Sequence, residues 1–209
     1  FVASRYGRLL RAECVISLGR LVFSPVVPMP RYIAFLRAIN VGGHNVTMEK
    51  LRGLFEALGF KDVETFIASG NVIFTSNRKD AEVLDRKIEG HLRKSLGYEV
   101  KTFLRTEFEL AAAAQHAPFK TDELKSAKAI CVGFLAEPLT AEARKSLMAL
   151  RNEIDNFHVN GREVYWLCKL KQSDSNFSNL LFEKTLKVRV TFRGINTVTK
   201  LAVKYAPPL

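Results

Sequence analysis

From Met29 onward the hydrophobic period of this chain switches between two and about 3.6 residues in a fixed order, and the same order then returns. Tyr32 to Arg37 forms a short strand pattern, followed by the loop Asn40-Val41-Gly42-Gly43-His44-Asn45. Thr47 can cap a helix whose Met48, Leu51, Leu54, Phe55 and Leu58 share one face, and Gly59 stops it. Val63 to Ala68 and Val72 to Thr75 flank the hairpin signal Ser69-Gly70-Asn71. Asp80 begins a second helix with the stripe Leu84, Ile88, Leu92 and Leu96; Gly97 ends it, and Tyr98 to Leu104 supplies a fourth strand. The order is βαββαβ.

A helix at Glu107 to His116 and a polar connection through Lys128 separate this unit from its repeat. A strand at Ala129 to Leu135 leads to a helix capped by Thr140 that runs through Leu147 and Leu150. Phe157 to Val159 and Glu163 to Cys168 flank Asn160-Gly161, the signature of a type I′ turn in which both central residues need positive φ. Asp174 or Ser175 can cap a helix carrying Phe177, Leu180, Leu181 and Leu186; a strand at Lys187 to Phe192 and a helix at Asn196 to Tyr205 complete the chain. The expected fold class is α+β: two consecutive ferredoxin-like halves with antiparallel sheets, residues 29–105 and 129–209, joined over 106–128, with a C-terminal helix. The repeat is one of pattern, not of residues.

Residues 1–28 differ in kind. Arg5, Arg8, Arg11 and Arg20 are scattered among small and apolar residues, and Pro25, Pro28 and Pro30 close the segment. That composition resembles a leader, yet Arg20 interrupts any apolar core and Met29 stands directly before the first strand. The expectation is an upstream extension outside the fold, poorly ordered.

Composition narrows the function classes. No stretch approaches the ~20 apolar residues that a bilayer-spanning helix needs, so no membrane role is expected. Cys14, Cys131 and Cys168 are odd in number and widely spaced, which points away from a disulfide framework or zinc site and toward the cytosol. Cys131 and Cys168 lie on predicted strands and are expected to be buried small hydrophobes. His44, His91, His116 and His158 are isolated, and there is no HExxH, GxSxG, Walker loop or complete GxGxxG. No metal or other cofactor is expected. The net charge of +11 is spread along the chain with one concentration, Lys169 to Lys204, where eight basic residues face only Asp174 and Glu183.

Topology then brings distant residues together. In a ferredoxin-like sheet of order 4-1-3-2, Arg37 and Asn40 at the end of the first strand approach Ser69, Gly70 and Asn71 in the hairpin. With Gly42 and Gly43, whose backbone N–H groups can approach a ligand closely, they form a rim able to hold an anion. The alternative is that Asn40, Asn45 and Asn71 serve turns and Arg37 pairs with a carboxylate. A second candidate is the run from Arg193 into the last helix, where Asn196 and Thr197 can cap the free N–H groups and Lys200 lies one turn along; a purely structural cap is the competing account.

These residues carry a resemblance. Tyr32-Ile33-Ala34-Phe35-Leu36-Arg37-Ala38-Ile39-Asn40-Val41-Gly42-Gly43, the helix to Leu58-Gly59-Phe60, and Val63 to Phe74 through Ala68-Ser69-Gly70-Asn71 resemble the N-terminal signature of domain of unknown function family 1697. Ala117-Pro118-Phe119, Val164-Tyr165-Trp166, Leu181-Phe182-Glu183-Lys184 and Thr191 to Leu201 extend the likeness over Met29 to Lys204. The family usually has Asn after the C-terminal Thr-x-Arg, whereas this chain has Gly194 after Arg193. The resemblance implies a compact α+β fold of bacterial flavour and brings no settled activity or cofactor.

Three function classes follow. The first is binding of a phosphate-bearing ligand or nucleic acid through a polar or basic surface, with Tyr32, Phe35, Phe66, Phe74, Tyr165 and Trp166 as stacking rings on an exposed sheet, as in RNA-recognition domains. The second is an enzyme holding a small anionic substrate at Arg37, Asn40, Ser69 and Asn71, for which no general base is evident. The third is a structural or protein-interaction module in which two sheets pack together, or pair across a homodimer, and bury those rings.

Overall fold

The protein is described here by a computed structural model that covers residues 16–17, 20–21, 29–40, 43–67, 70–78 and 80–207. Of the N-terminal 28 residues only β1 (Ile16–Ser17) and β2 (Arg20–Leu21) are described, paired antiparallel as a sheet of their own; the rest of that extension, with Cys14, lies outside the described residues. The first half runs β3 (Arg31–Leu36), α1 (Met48–Glu56), β4 (Lys61–Thr65), β5 (Asn71–Thr75), α2 (Ala81–Leu96) and β6 (Thr102–Thr106). After α3 (Glu107–Gln115) and α4 (Thr121–Ser126), the second half runs β7 (Ala129–Phe134), α5 (Ala141–Met148), β8 (Asp155–Asn160), β9 (Glu163–Cys168), α6 (Asn179–Leu186) and β10 (Thr191–Gly194), closed by α7 (Ile195–Tyr205). The sheet orders are β4-β5-β3-β6 and β10-β7-β9-β8, antiparallel throughout. Each half therefore takes the expected 4-1-3-2 order.

Local chemistry accounts for most element ends. The side chains of Thr47, Asp80 and Thr140 accept the N–H of Lys50, Val83 and Ala143, as expected of N-caps. Four local expectations are corrected. α6 is capped by Ser178, because Gln172–Asp174 forms a 3-10 turn and the Ser175 hydroxyl donates to Asp155 at 2.8 Å. The polar connection before Lys128 contains α4, whose Glu123 carboxylate accepts the Lys120 N–H at 2.9 Å. Asn160 pairs with Glu163 in the ladder, so the central turn residues are Gly161 and Arg162; only Gly161 has positive φ, at 56°, which is the II′ pattern and not I′. The last helix begins at Ile195 with Gly194 at its N-cap, so Asn196 and Thr197 lie inside the first turn instead of capping it.

Side-chain alternation divides the sheets into three cores. One face of the first sheet packs Tyr32, Ala34, Leu36, Val72, Phe74 and Leu104 against α1 and α2. In the second half Cys131, Val164, Trp166 and Phe192 pack against α5 and α6. The remaining faces meet each other: Ile33, Phe35, Ile73 and Phe103 pack with Val132, Phe134, Tyr165 and Leu167, flanked by α3 and α7. The rings of Phe35 and Phe134 stack at 3.8 Å at the centre. Among the described residues no sheet face of either half is left to stack bases: Tyr32, Phe35, Phe74, Tyr165 and Trp166 are all at most 2% exposed, and Phe66, just past β4, is half-buried against the inter-sheet core. The expected open aromatic platform is closed from both sides: Phe35 and Tyr165 lie between the two sheets, while Tyr32, Phe74 and Trp166 lie under the helices.

Candidate functional site

The two sequence-derived candidates come together because Arg193 reaches from the second half into the first. Its Nε donates to Asn71 Oδ1 at 2.7 Å and its Nη2 to the carbonyl of Leu36 at 2.9 Å. Nη1 donates to Thr191 Oγ1 at 2.7 Å, and the guanidinium lies 5.9 Å from the centre of the Phe35 ring. Burial pushes the Arg193 pKa down to about 10. The side chain thus ties the end of β3 and the start of β5 to the strand that feeds α7.

The first half returns the same clasp. Arg105 on β6 donates from Nε to Glu163 Oε1 at 2.6 Å and from Nη2 to the carbonyls of Leu135 at 2.9 Å and Arg162 at 3.0 Å. Its guanidinium lies 5.3 Å from the centre of the Phe134 ring. Strand register makes the correspondence exact in position: Ile33 pairs with Arg105 as Val132 pairs with Arg193, and Phe35 with Asn71 as Phe134 with Glu163. Leu36 N–H donates to Gly70 at 2.8 Å, and Leu135 N–H to Arg162 at 2.9 Å. Each arginine stands two residues before the helix that follows its strand, α3 or α7.

The clasps differ where the helices begin. Around Arg105 the α3 terminus is closed by a capping box: Thr106 Oγ1 accepts the Glu109 N–H, and the Glu109 carboxylate accepts the Thr106 N–H at 2.8 Å. Around Arg193 the α7 N-cap is Gly194, which has no side chain to offer. No side-chain hydrogen bond caps α7, and Gly194 and Asn196 at its start are exposed.

The other predicted residues fall around this second terminus. Arg37 is held by Glu183, with Nε to Oε1 at 2.7 Å and Nη2 to Oε2 at 2.9 Å, so it pairs with a carboxylate across the halves. Asn40 Oδ1 accepts the Val46 N–H at 2.7 Å and shapes the loop. Asn71 is fully buried, its amide donating to Phe66 O at 3.0 Å. Gly43 is exposed with φ of 88°, Thr197 is half-buried, and Lys200 is exposed on the first turns of α7. Gly42 and Ser69 lie outside the described residues. Of the five non-glycine residues with positive φ among the described residues, three border this edge: Ala38 at 69°, Asn40 at 55° and Ile67 at 50°. Such backbone costs about 1–2 kcal/mol per residue and concentrates at functional loops.

Glu183 also leads outward. Arg189 lies 3.3 Å from its second oxygen, and an open groove of about 420 Å³ is lined by Leu180, Lys184, Lys187 and Val188 beside this pair. Sequence reasoning missed Glu183 as a partner, and missed Arg105 and Glu163 altogether. The signal was present in the parallel between Thr102-Phe103-Leu104-Arg105 and Thr191-Phe192-Arg193, each directly before a helix.

Cys131 and Cys168 are buried, and burial pushes the Cys131 thiol up to about 12, far from nucleophilic range. Among the described residues no group of three His, Cys, Asp or Glu could hold a metal ion, and no helix is long and apolar enough to cross a membrane.

Comparison with known proteins adds the wider setting. No curated protein matches the sequence. A solved structure of a conserved bacterial protein from Streptococcus pneumoniae superposes with a TM-score of 0.66 at 24% identity, covering 85% of this chain and 99% of that one, a likeness of fold alone. Residues 29–165 match the family described as "Protein of unknown function (DUF1697)". That match spans more than half of the chain and includes β3, its loop and the β4–β5 hairpin, so the protein belongs to this family.

Proposed function

We propose that the protein binds a phosphate-bearing ligand at the edge where α7 begins, with the anion over the first turn of that helix and the rest of the ligand toward the basic groove at the end of α6. The observation that carries this reading is the contrast between the helix termini. A carboxylate of the chain itself, Glu109, sits on the N-terminus of α3, whereas the corresponding N-terminus of α7 opens at Gly194. A helix N-terminus attracts anions through oriented N–H groups and the macrodipole. Exposed Lys200, Lys184, Lys187 and Arg189 add positive charge nearby, and the left-handed residues of the 38–40 and 67 loops fit a recognition edge.

Nucleic acid is a weaker form of the same reading, since its bases would find no exposed sheet rings. The burial of both inner sheet faces favours a second reading, a structural or interaction module that takes no ligand. Amide NMR with pyrophosphate and with short single-stranded RNA, at two salt concentrations, discriminates the readings. Salt-sensitive shifts centred on residues 194–200, weakened by Lys200→Ala, support anion binding. Unchanged spectra at low salt sink it and leave the ligand-free reading.

A further inference from the structure

A cavity of about 160 Å³ lies where the C-terminal end of α3, the loop after it and α4 meet the contact between the sheets. Phe119 and Tyr165, both buried members of the inter-sheet core, line it together with half-buried Ile130 on β7 and Ile195 at the start of α7. The Tyr165 hydroxyl donates to the carbonyl of Ala113 at 3.0 Å, and the Tyr165 ring lies 4.9 Å from that of His116, which also lines the cavity. α4 contributes Leu124. None of the six residues of this helix is buried, and Leu124, 42% exposed, belongs to none of the three cores. A polar contact ties the helix to β8, the Asn156 amide donating to Glu123 Oε1 at 2.6 Å, while its one leucine lines the cavity.

We propose that this cavity binds a neutral compound with a single aromatic ring, of the phenol class. Neutrality follows from the walls: none of the residues that line the cavity is acidic, lysine or arginine, so an ion would lose its hydration there with no counter-charge in return. Size follows from the volume, since an apolar cavity of roughly 150 Å³ takes one benzene ring. The rings of Phe119, Tyr165 and His116 favour an aromatic guest, which gains from offset or edge-on ring contact beyond the area it buries. Exposed Gln115 supplies a polar rim, because its amide carries both donor and acceptor and can meet a hydroxyl in either sense.

Such a ligand also completes the packing of α4. A ring held among Leu124, Ile130 and Phe119 removes apolar surface of all three from water, and it gives the helix the hydrophobic contact that its own residues do not make with the cores. Binding therefore protects α4 against local opening, increasingly so as ligand concentration rises.

The test uses phenol and cyclohexanol as probes on the full chain, followed by NMR. Saturable shifts of the Gln115, His116 and Phe119 amides, nuclear Overhauser contacts from the phenol ring to the methyl groups of Leu124 and Ile130, and slower hydrogen exchange in α4 are expected. Cyclohexanol, which matches phenol in size without its π-system, should bind roughly fivefold more weakly. Leu124→Ala, at an exposed position, should weaken phenol binding several-fold, and Ile130→Phe, which brings a ring of the chain's own into the cavity, should abolish it. No ring contact at Leu124 and Ile130, equal affinity for cyclohexanol, or unchanged affinity in Leu124→Ala each overturns the proposal, and the first two need no variant. Pyrophosphate is expected at residues 194–200 and carries no ring, so the anion reading stands or falls separately.

Discussion

The Arg105 and Arg193 clasps are two answers to one geometric problem. In both, a guanidinium from the fourth strand of one half reaches the end of the first strand in the other and stacks near a phenylalanine at the interface. Around Arg105 the hairpin position opposite is Glu163 and the helix is closed by Thr106 and Glu109; around Arg193 the same positions are Asn71, Gly194 and Thr197. One clasp answers the cation and the helix dipole with the chain's own carboxylates. The other uses an amide and leaves the helix end open. The contrast teaches that equal backbone geometry does not make equal sites, because the charge placed at two or three positions decides what a junction can take from solution.

Removing the arginines tests the comparison most severely. Arg105→Ala should cost about 3–5 kcal/mol, since it leaves Glu163 beside a buried interface without its partner. Arg193→Ala, which strands the amide of Asn71 and a carbonyl, should cost less, about 1–3 kcal/mol. Urea midpoints measured side by side decide the order; equal losses would mean that the carboxylate adds nothing to the first clasp.

Asp85 gives the next effect, through pH. Its pKa is raised to about 7 from the ordinary carboxylate range, so the folded state favours the protonated acid. The penalty for ionising it is absent in strong acid, grows from about pH 4, and is complete above about pH 7. Asp85→Asn should therefore stabilise the protein at pH 8, by on the order of 1 kcal/mol, and give no gain at pH 4. A gain independent of pH would show that packing, not charge, is being relieved.

Exchanging the partner groups sharpens the contrast further. Asn71→Asp would give the Arg193 clasp an internal anion, and should weaken pyrophosphate binding at the start of α7 by roughly tenfold through like-charge repulsion. Isothermal titration at low salt provides the comparison, and unchanged affinity would separate the proposed ligand from this junction. The smallest effect belongs to Gly194→Asn, which restores the residue usual at this place in the resembling sequences. A Cβ there meets nothing within 4 Å, and Asn at an N-cap exceeds Gly by a few tenths of a kcal/mol. A melting temperature raised by about 1 °C, together with weaker anion binding, would link the open cap to the proposed site.

Much of the architecture was legible in the chain because it rests on local rules. Thr47, Asp80 and Thr140 announce their helices through the acceptor that a free helix terminus needs, and Gly97 ends one because it adopts φ of 81° without strain. Errors arose where a local signal had competition. Asn160-Gly161 suggested one turn type, but the pairing of Asn160 with Glu163 shifted the turn by one residue. Ser175 was available as a cap until Asp155 engaged its hydroxyl. Arg37, Asn71 and Arg193 were recognisable as residues worth following, while their mutual arrangement was not, since 122 positions separate Asn71 from Arg193.

The sequence by itself determined two βαββαβ halves, their strand order and the helix faces that cover each sheet, because period, capping and glycine placement act within a few residues. Only the tertiary structure decided that the two remaining sheet faces close on each other. Alternation shows that a face is apolar without saying whether water, a ligand or another sheet will cover it. That choice, made by Phe35 against Phe134 and locked by two arginines reaching across, buried Phe35 and Tyr165, the candidate stacking rings that the helices do not cover. It left Lys200 and the uncapped start of α7 at the margin of the contact between the halves, where the proposed anion would bind.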